Sequence, residues 1–174
     1  MIDDIQIENS SAVDLEPAAY GFIAGFQKSE VLGKIGFLIG CEYVRITNRT
    51  YNSAFEWENF LHRNKPIGYY LGNDFDKWSF YLNKWLSKDF FIKGGLDYIR
   101  RGEETVKSDW DTQWMTNTPE DEYNEPFPTG IVEKSLIPWF CLRYLPWANS
   151  FIDVKIGYRF IKNFNNIKGK EEAG

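Results

Sequence analysis

Hydrophobic and polar side chains alternate with a period of two along most of this chain. Tyr20, Phe22, Ala24 and Phe26 oppose Gly21, Ile23, Gly25 and Gln27, and Ile35, Phe37, Ile39, Cys41 and Tyr43 oppose Gly36, Leu38, Gly40 and Glu42. The same rhythm runs through Lys77 to Trp85, Phe90 to Arg100 and Ile131 to Tyr144. From Phe151 to Phe160, Ile152, Val154, Ile156, Tyr158 and Phe160 form an unbroken apolar face against Asp153, Lys155, Gly157 and Arg159. Alternation of this kind predicts β-strands with two chemically different faces. Ile5 and Ile7, set between Asp4, Gln6 and Glu8, predict the end of one more strand. Pro138 has no N–H to give to a ladder, so a bulge or a sheet edge is expected there.

The connections between these runs are unequal. Lys28–Lys34, Leu86–Asp89 and Leu145–Ser150 are short, whereas residues 48–76 and 101–130 lack a sustained period and form two long loops. Loops beyond about 12 to 15 residues without secondary structure are usually functional or disordered, and the first carries too many aromatics for disorder. In a soluble sandwich or barrel the apolar strand face is the core. In an outer-membrane barrel that face meets lipid, charge lines the inside, aromatics ring both ends and short turns occupy one rim. The loop asymmetry and the aromatic strand ends favour the membrane arrangement. The expected fold class is therefore all-β, an antiparallel meander of about seven long strands forming the C-terminal part of a large transmembrane β-barrel, because single-chain barrels have an even strand number from about 8 upward. Residues 1–160 form the partial barrel, whose missing N-terminal part is an expected partner, and 161–174 a disordered polar tail.

Composition narrows the class. Aromatic residues are 18% of the 174 positions while mean hydropathy is −0.45, so apolar character resides in side chains that suit strands. A net charge of −5 without a Lys/Arg block excludes nucleic acid as an expected partner. No apolar run reaches the roughly 20 residues of a spanning helix. Residues 1–8 lack the basic and apolar regions of a signal peptide, which taken alone favours a cytoplasmic protein, the alternative being that Met1 is not the natural start. Cys41 and Cys141 are expected as buried free thiols, with a disulfide as the alternative. Neither CxxC nor metal-ligand spacing occurs, so no cofactor or metal is expected.

Three motifs carry a family resemblance. Glu42-Tyr-Val-Arg-Ile-Thr-Asn-Arg-Thr-Tyr-Asn52, Pro66-Ile-Gly-Tyr-Tyr-Leu-Gly-Asn-Asp-Phe-Asp76 and Tyr98-Ile-Arg-Arg-Gly-Glu103 together resemble the Wzi-like capsule-assembly family of bacterial outer-membrane proteins, over residues 1 to 160. Where family members often have Gly-His-Pro-Leu-Gly, this chain has Gly68-Tyr-Tyr-Leu-Gly72, so no role resting on that His carries over. Val154-Lys-Ile-Gly-Tyr-Arg-Phe160 is similar to the terminal-strand signal of such barrels, although this chain continues past it. The resemblance implies a bacterial outer-membrane location, lipid and lipopolysaccharide contact, and non-catalytic, lectin-like attachment of capsular or extracellular polysaccharide.

Sugars offer hydroxyls and weakly apolar C–H faces, so a binder needs planar aromatics and Asn, Asp or Arg groups. The expected glycan-binding residues are Arg45, Asn48, Arg49, Tyr51, Asn52, Trp57, Tyr69, Tyr70, Asn73, Asp74, Arg100 and Arg101. The plainer alternative is that the aromatics pack the loop and the arginines pair with Glu42, Asp97 or Glu103. No catalytic residue is expected. Glu56 with Glu58, or Glu103 with Glu104, would serve an outer-membrane barrel enzyme acting on lipid or glycan, and carboxylate separation is the test. His62, the single histidine, has no neighbouring ligand. Gly33-Lys-Ile-Gly36 lacks the ending and helix of a phosphate loop, and Gly36 and Gly40 relieve crowding on the interior face instead. A soluble β-sandwich carbohydrate-binding module is the remaining alternative.

Overall fold

The computed structural model describes residues 19–30, 36–53, 59–63, 65–108, 126–147 and 150–174. Among them the long strands are β1 (Gly21–Ser29), β2 (Phe37–Ile46), β5 (Phe75–Trp85), β6 (Phe90–Arg101), β7 (Glu133–Trp147) and β8 (Ser150–Gly157). Shorter strands are β3 (Leu61–His62), β4 (Lys65–Pro66), β9 (Phe160–Lys162) and β10 (Glu171–Ala173), and one 3-10 turn spans Phe164–Asn166. The order β1-β2-β5-β6-β7 is an antiparallel meander, β8 and β9 both pair with β7, and β10 pairs with β9. β3 and β4 form a separate two-stranded sheet. The class is all-β, as the alternation predicts. The expected strand at Ile5 and Ile7 lies outside the described residues, as does Gly33.

The chain divides into two compact units. The sheet unit contains residues 23–44, 77–99 and 133–174. Its two faces differ in chemistry. Phe26, Ile39, Trp78, Phe80, Leu82, Phe90, Leu96, Phe140 and Ile156 all stand exposed on the apolar side, Ile156 at 67%. Aromatic pairs run along that side, with Tyr43 and Trp78 centroids 4.5 Å apart and Phe90 stacked on Tyr144 at 4.7 Å. Among the described residues of this unit only Val44 and Ile161 are buried hydrophobics. Among the described residues nothing covers the apolar face, and the sheet's buried hydrophobics are too few to make a core.

The opposite side is polar and internally paired. Lys77 Nζ lies 3.4 Å from Asp97, and Arg143 grips Asp153 through Nε at 2.7 Å and Nη2 at 2.9 Å. Two large rings lie over glycines. A Cβ on Gly40 would collide with the Tyr81 ring, and one on Gly95 would sit 2.5 Å from Trp139 Cζ2 and 2.7 Å from the Phe80 carbonyl oxygen. Gly40 therefore does relieve crowding on this face. Gly36 does something different, adopting a φ of +76° at the entry to β2, where a side chain would be strained.

Pro138 marks the irregularity expected of it. Trp139 pairs with Gly157 and Leu136 with Phe160, so β8 and β9 keep one register against β7, and the ladder is interrupted opposite Pro138. They behave as the single strand that the alternation from Phe151 to Phe160 predicts.

The disordered tail expected at 161–174 is corrected. Lys162 pairs with both Lys134 and Glu171, Arg159 and Gly174 exchange backbone hydrogen bonds at 2.8 and 3.1 Å, and Ile161 is buried. The turn between is closed by Asn163 Oδ1 accepting from Gly169 N–H at 2.9 Å. Polar composition concealed a hairpin whose order comes from backbone pairing, to which side-chain polarity is indifferent.

Candidate functional site

The loop unit contains residues 1–22, 45–76 and 100–132, and so gathers all of the expected glycan-binding residues. Its organising segment is Arg45–Asn52. Leaving β2, the chain turns at 47–50, with Asn52 N–H donating to the Arg49 carbonyl at 3.0 Å. The hydroxyls of Thr47 and Thr50 lie 2.9 Å apart and both reach the Tyr20 carbonyl, while Tyr20 N–H donates to Thr47 Oγ1 at 3.0 Å. Short β-branched hydroxyl residues are what such a turn needs, because they satisfy the buried backbone without long side chains.

Tyr51 is buried, and its hydroxyl accepts the Tyr69 N–H at 2.9 Å. A Cβ on Gly68 would collide with that hydroxyl, which explains the glycine at the start of Gly68-Tyr-Tyr-Leu-Gly72. Asn52 Nδ2 donates to the carbonyls of Thr105 and Ser108, both at 3.2 Å, and Asn73 Nδ2 donates to the Asn48 carbonyl. Side-chain-to-backbone bonds thus stitch the first two resembling motifs together, and Asn52 ties the first to the segment just beyond the third.

Asp74 is the hub. Fully buried, with a φ of 55°, its carboxylate accepts the Thr129 N–H at 3.0 Å, the Glu104 N–H at 3.1 Å and the Thr129 hydroxyl. Its carbonyl accepts from Gly102 N–H at 2.8 Å. A Cβ on Gly102 would strike the carboxylate. Burial pushes the Asp74 carboxyl above its ordinary pKa, and the nearby Glu104 charge adds to this. The Thr129 and Glu104 donors oppose both.

Next to this hub Asp76, also buried, is gripped by Arg100 at both oxygens, the Nε contact being 2.9 Å. Arg100 therefore pairs, as the plainer alternative has it, but with Asp76. Asp97, one of the partners considered for it, is held by Lys77 in the sheet unit. Glu103 accepts the Ile131 N–H at 2.9 Å. Arg45 lays its guanidinium 3.9 Å from the Phe127 ring centroid and 5.6 Å from that of Tyr20, and its Nε is buried without a hydrogen-bond partner.

The structure thus brings the expected residues together but in different conditions. Asn48, Arg49, Tyr51, Asn73 and Asp74 are buried, while Arg45, Asn52, Tyr69 and Arg100 are half-buried. Tyr70, 70% accessible and 4.9 Å from the Tyr69 ring, and Arg101 stand on the surface. Trp57, Glu56 and Glu58 lie outside the described residues. The principal residues that sequence reasoning missed are Thr129, Gly102 and Asp76. Gly102 and Asp76 lie inside the resembling motifs and Thr129 in a Thr-Gly after prolines, but none of these signals gave the residue a role.

Comparison of the chain with protein-family models, with curated proteins and with solved structures finds no match in any of the three.

Proposed function

We propose that this chain is part of a bacterial outer-membrane β-barrel that assists assembly or surface attachment of capsular or extracellular polysaccharide without catalysing a reaction. The observation that carries the reading is the uncovered apolar face of the sheet unit backed by an ion-paired polar face. Contiguous exposed apolar patches beyond a few hundred Å² mark an interface or a membrane. Strand length supports the membrane reading. Residues 77–85 of β5, the part in the sheet unit, at about 3.3 Å each and tilted about 45°, rise roughly 21 Å, close to the ~25 Å apolar band of an outer-membrane barrel. In the soluble sandwich alternative a second sheet must cover this face, and the two-residue strands β3 and β4 are too small for that.

In this reading the loop unit is a stiff platform whose polar groups hold it together, and the glycan meets the side chains left outside, Tyr70 and Arg101. The Wzi-like motifs support the assignment to polysaccharide attachment. Fractionation of cells expressing the full-length gene product tests the location: it belongs with the outer membrane, and recovery in the soluble fraction sinks the barrel. Surface polysaccharide retained by wild-type cells and shed by a Tyr70→Ala, Arg101→Ala double variant tests the attachment. Polysaccharide cleavage that disappears on mutating Glu103 and Glu104 while retention persists would replace the binder with an enzyme.

A further inference from the structure

The polar face of the sheet unit holds a group of side chains that neither the loop platform nor the lipid-facing surface uses. Trp139 projects from β7 between two glycines: its paired neighbour on β8 is Gly157, and its indole lies over Gly95 of β6. Tyr81 projects from β5 over Gly40 of β2, with its hydroxyl 3.4 Å from Gln27 Oε1. Rings set over glycines lie low on the sheet, because there is no side chain beneath to prop them up. Both are half-buried, so each keeps an accessible part.

Lys93 of β6 stands between them. Its ammonium is 5.6 Å from the Tyr81 ring centroid and 5.4 Å from that of Trp139, inside the range in which a cation is attracted by a ring face. Two ion pairs on this face are satisfied internally, Lys77 with Asp97 and Arg143 with Asp153. Among the described residues no carboxylate pairs with Lys93. An ammonium has three N–H donors, and ring faces are weak acceptors for them. A positive charge flanked by two flat apolar surfaces is therefore left without its natural counterpart.

We infer that Trp139, Tyr81 and Lys93 form a binding site on the polar face for a carboxylate-bearing saccharide. The pyranose C–H face stacks on the indole, the Tyr81 ring bounds the second side, and the sugar carboxylate accepts from the Lys93 ammonium. This rests on the barrel reading, which makes the polar face the water-filled interior. It differs from the loop-surface attachment site in position and in every residue. A neutral sugar satisfies the rings but leaves the lysine unanswered, and a small anion does the reverse, so the site selects a uronate over either.

The test is a titration of the full-length protein, extracted from the outer-membrane fraction in detergent, with an oligogalacturonate and, separately, a neutral malto-oligosaccharide. Saturable binding of the uronate, weakened by added salt, is expected. Lys93→Gln should weaken it by about tenfold or more while Lys93→Arg preserves it, since a charge-assisted hydrogen bond is lost in one and kept in the other. Trp139→Leu should weaken both sugars. The inference is overturned by the absence of saturable uronate binding, by equal affinity for the neutral sugar, or by a Lys93→Gln variant that binds like wild type. Any of these leaves the barrel standing, whereas recovery of the protein in the soluble fraction overturns the barrel and this site together.

Discussion

The carbonyl of Pro138 accepts a 3.0 Å hydrogen bond from Tyr158 N–H, and no bond returns, because the proline nitrogen carries no hydrogen. One missing donor splits β8 from β9 without altering their register against β7.

Pro138→Ala restores that donor. A recovered ladder bond contributes about 0.5–1.5 kcal/mol, and loss of the proline loosens the unfolded chain by about 0.4–1 kcal/mol in the opposite sense. These nearly cancel, so the unfolding midpoint should hardly move. The effect belongs in amide exchange, where the new N–H at position 138, donating to the Tyr158 carbonyl, should be as protected as the other ladder amides of β7. An unprotected amide there would show that the interruption has another cause.

Ile156 and Lys155 are neighbours on opposite faces of β8. Ile156→Arg should reduce insertion into lipid vesicles strongly, at a cost of roughly 2 to 4 kcal/mol near the bilayer midplane, while Lys155→Ala should be mild. Folding yield into vesicles, read by protease protection, measures both. Equal tolerance contradicts the lipid-facing assignment.

Asp74→Ala removes the acceptor of two backbone N–H groups and a hydroxyl. Each buried donor left unsatisfied costs about 1–3 kcal/mol, so the loop unit should become protease-sensitive around 102–108 and 126–130.

The pH response of Asp74 has a definite sign. Its folded pKa is raised, chiefly by burial, so the folded state binds the proton more tightly than the unfolded chain. Its contribution to stability is full below the ordinary carboxylate pKa and is lost as pH rises through the raised folded value. Relative to Asp74→Asn, which cannot titrate, the wild type should gain stability as pH falls across that window in denaturant titrations. The opposite slope is that of an ordinary paired aspartate and would show that the donors outweigh burial.

Gly95→Ala places a methyl against Trp139 and against a backbone carbonyl that cannot rotate away. Overpacking of this kind costs about 1–3 kcal/mol. A lowered melting temperature with a shifted tryptophan emission is expected. At Gly40 the obstacle is the Tyr81 ring, which has a side chain's freedom to turn, so Gly40→Ala should cost less.

Much of the sheet was legible because alternation is a property of the backbone repeat itself. Ile152 to Phe160 could not have been written for any other period, and the structure pairs them in unbroken register with β7. The tail from Ile161 was illegible for the converse reason, since its order resides in main-chain bonds that polar side chains do not advertise. In the loop unit the sequence showed which residues belong together but not what they do. Asn73 and Tyr51 have the chemistry of sugar contacts, yet Asn73 satisfies the Asn48 carbonyl and Tyr51 the Tyr69 N–H, because a group that suits a sugar hydroxyl suits a buried backbone equally well. Asp76 and Arg100 lie 24 positions apart, and only the fold places them side by side.

The hairpin of β9 and β10 sets where this sheet can grow. β10 presents Glu171 and Glu172 along its short length, and charge on an edge strand discourages a newcomer from pairing there. β8, from Ser150 to Gly157, lies at the same side of the sheet with Ile152, Val154 and Ile156 exposed. Extension is therefore directional. An incoming strand would find open backbone groups along β8 and carboxylates along β10.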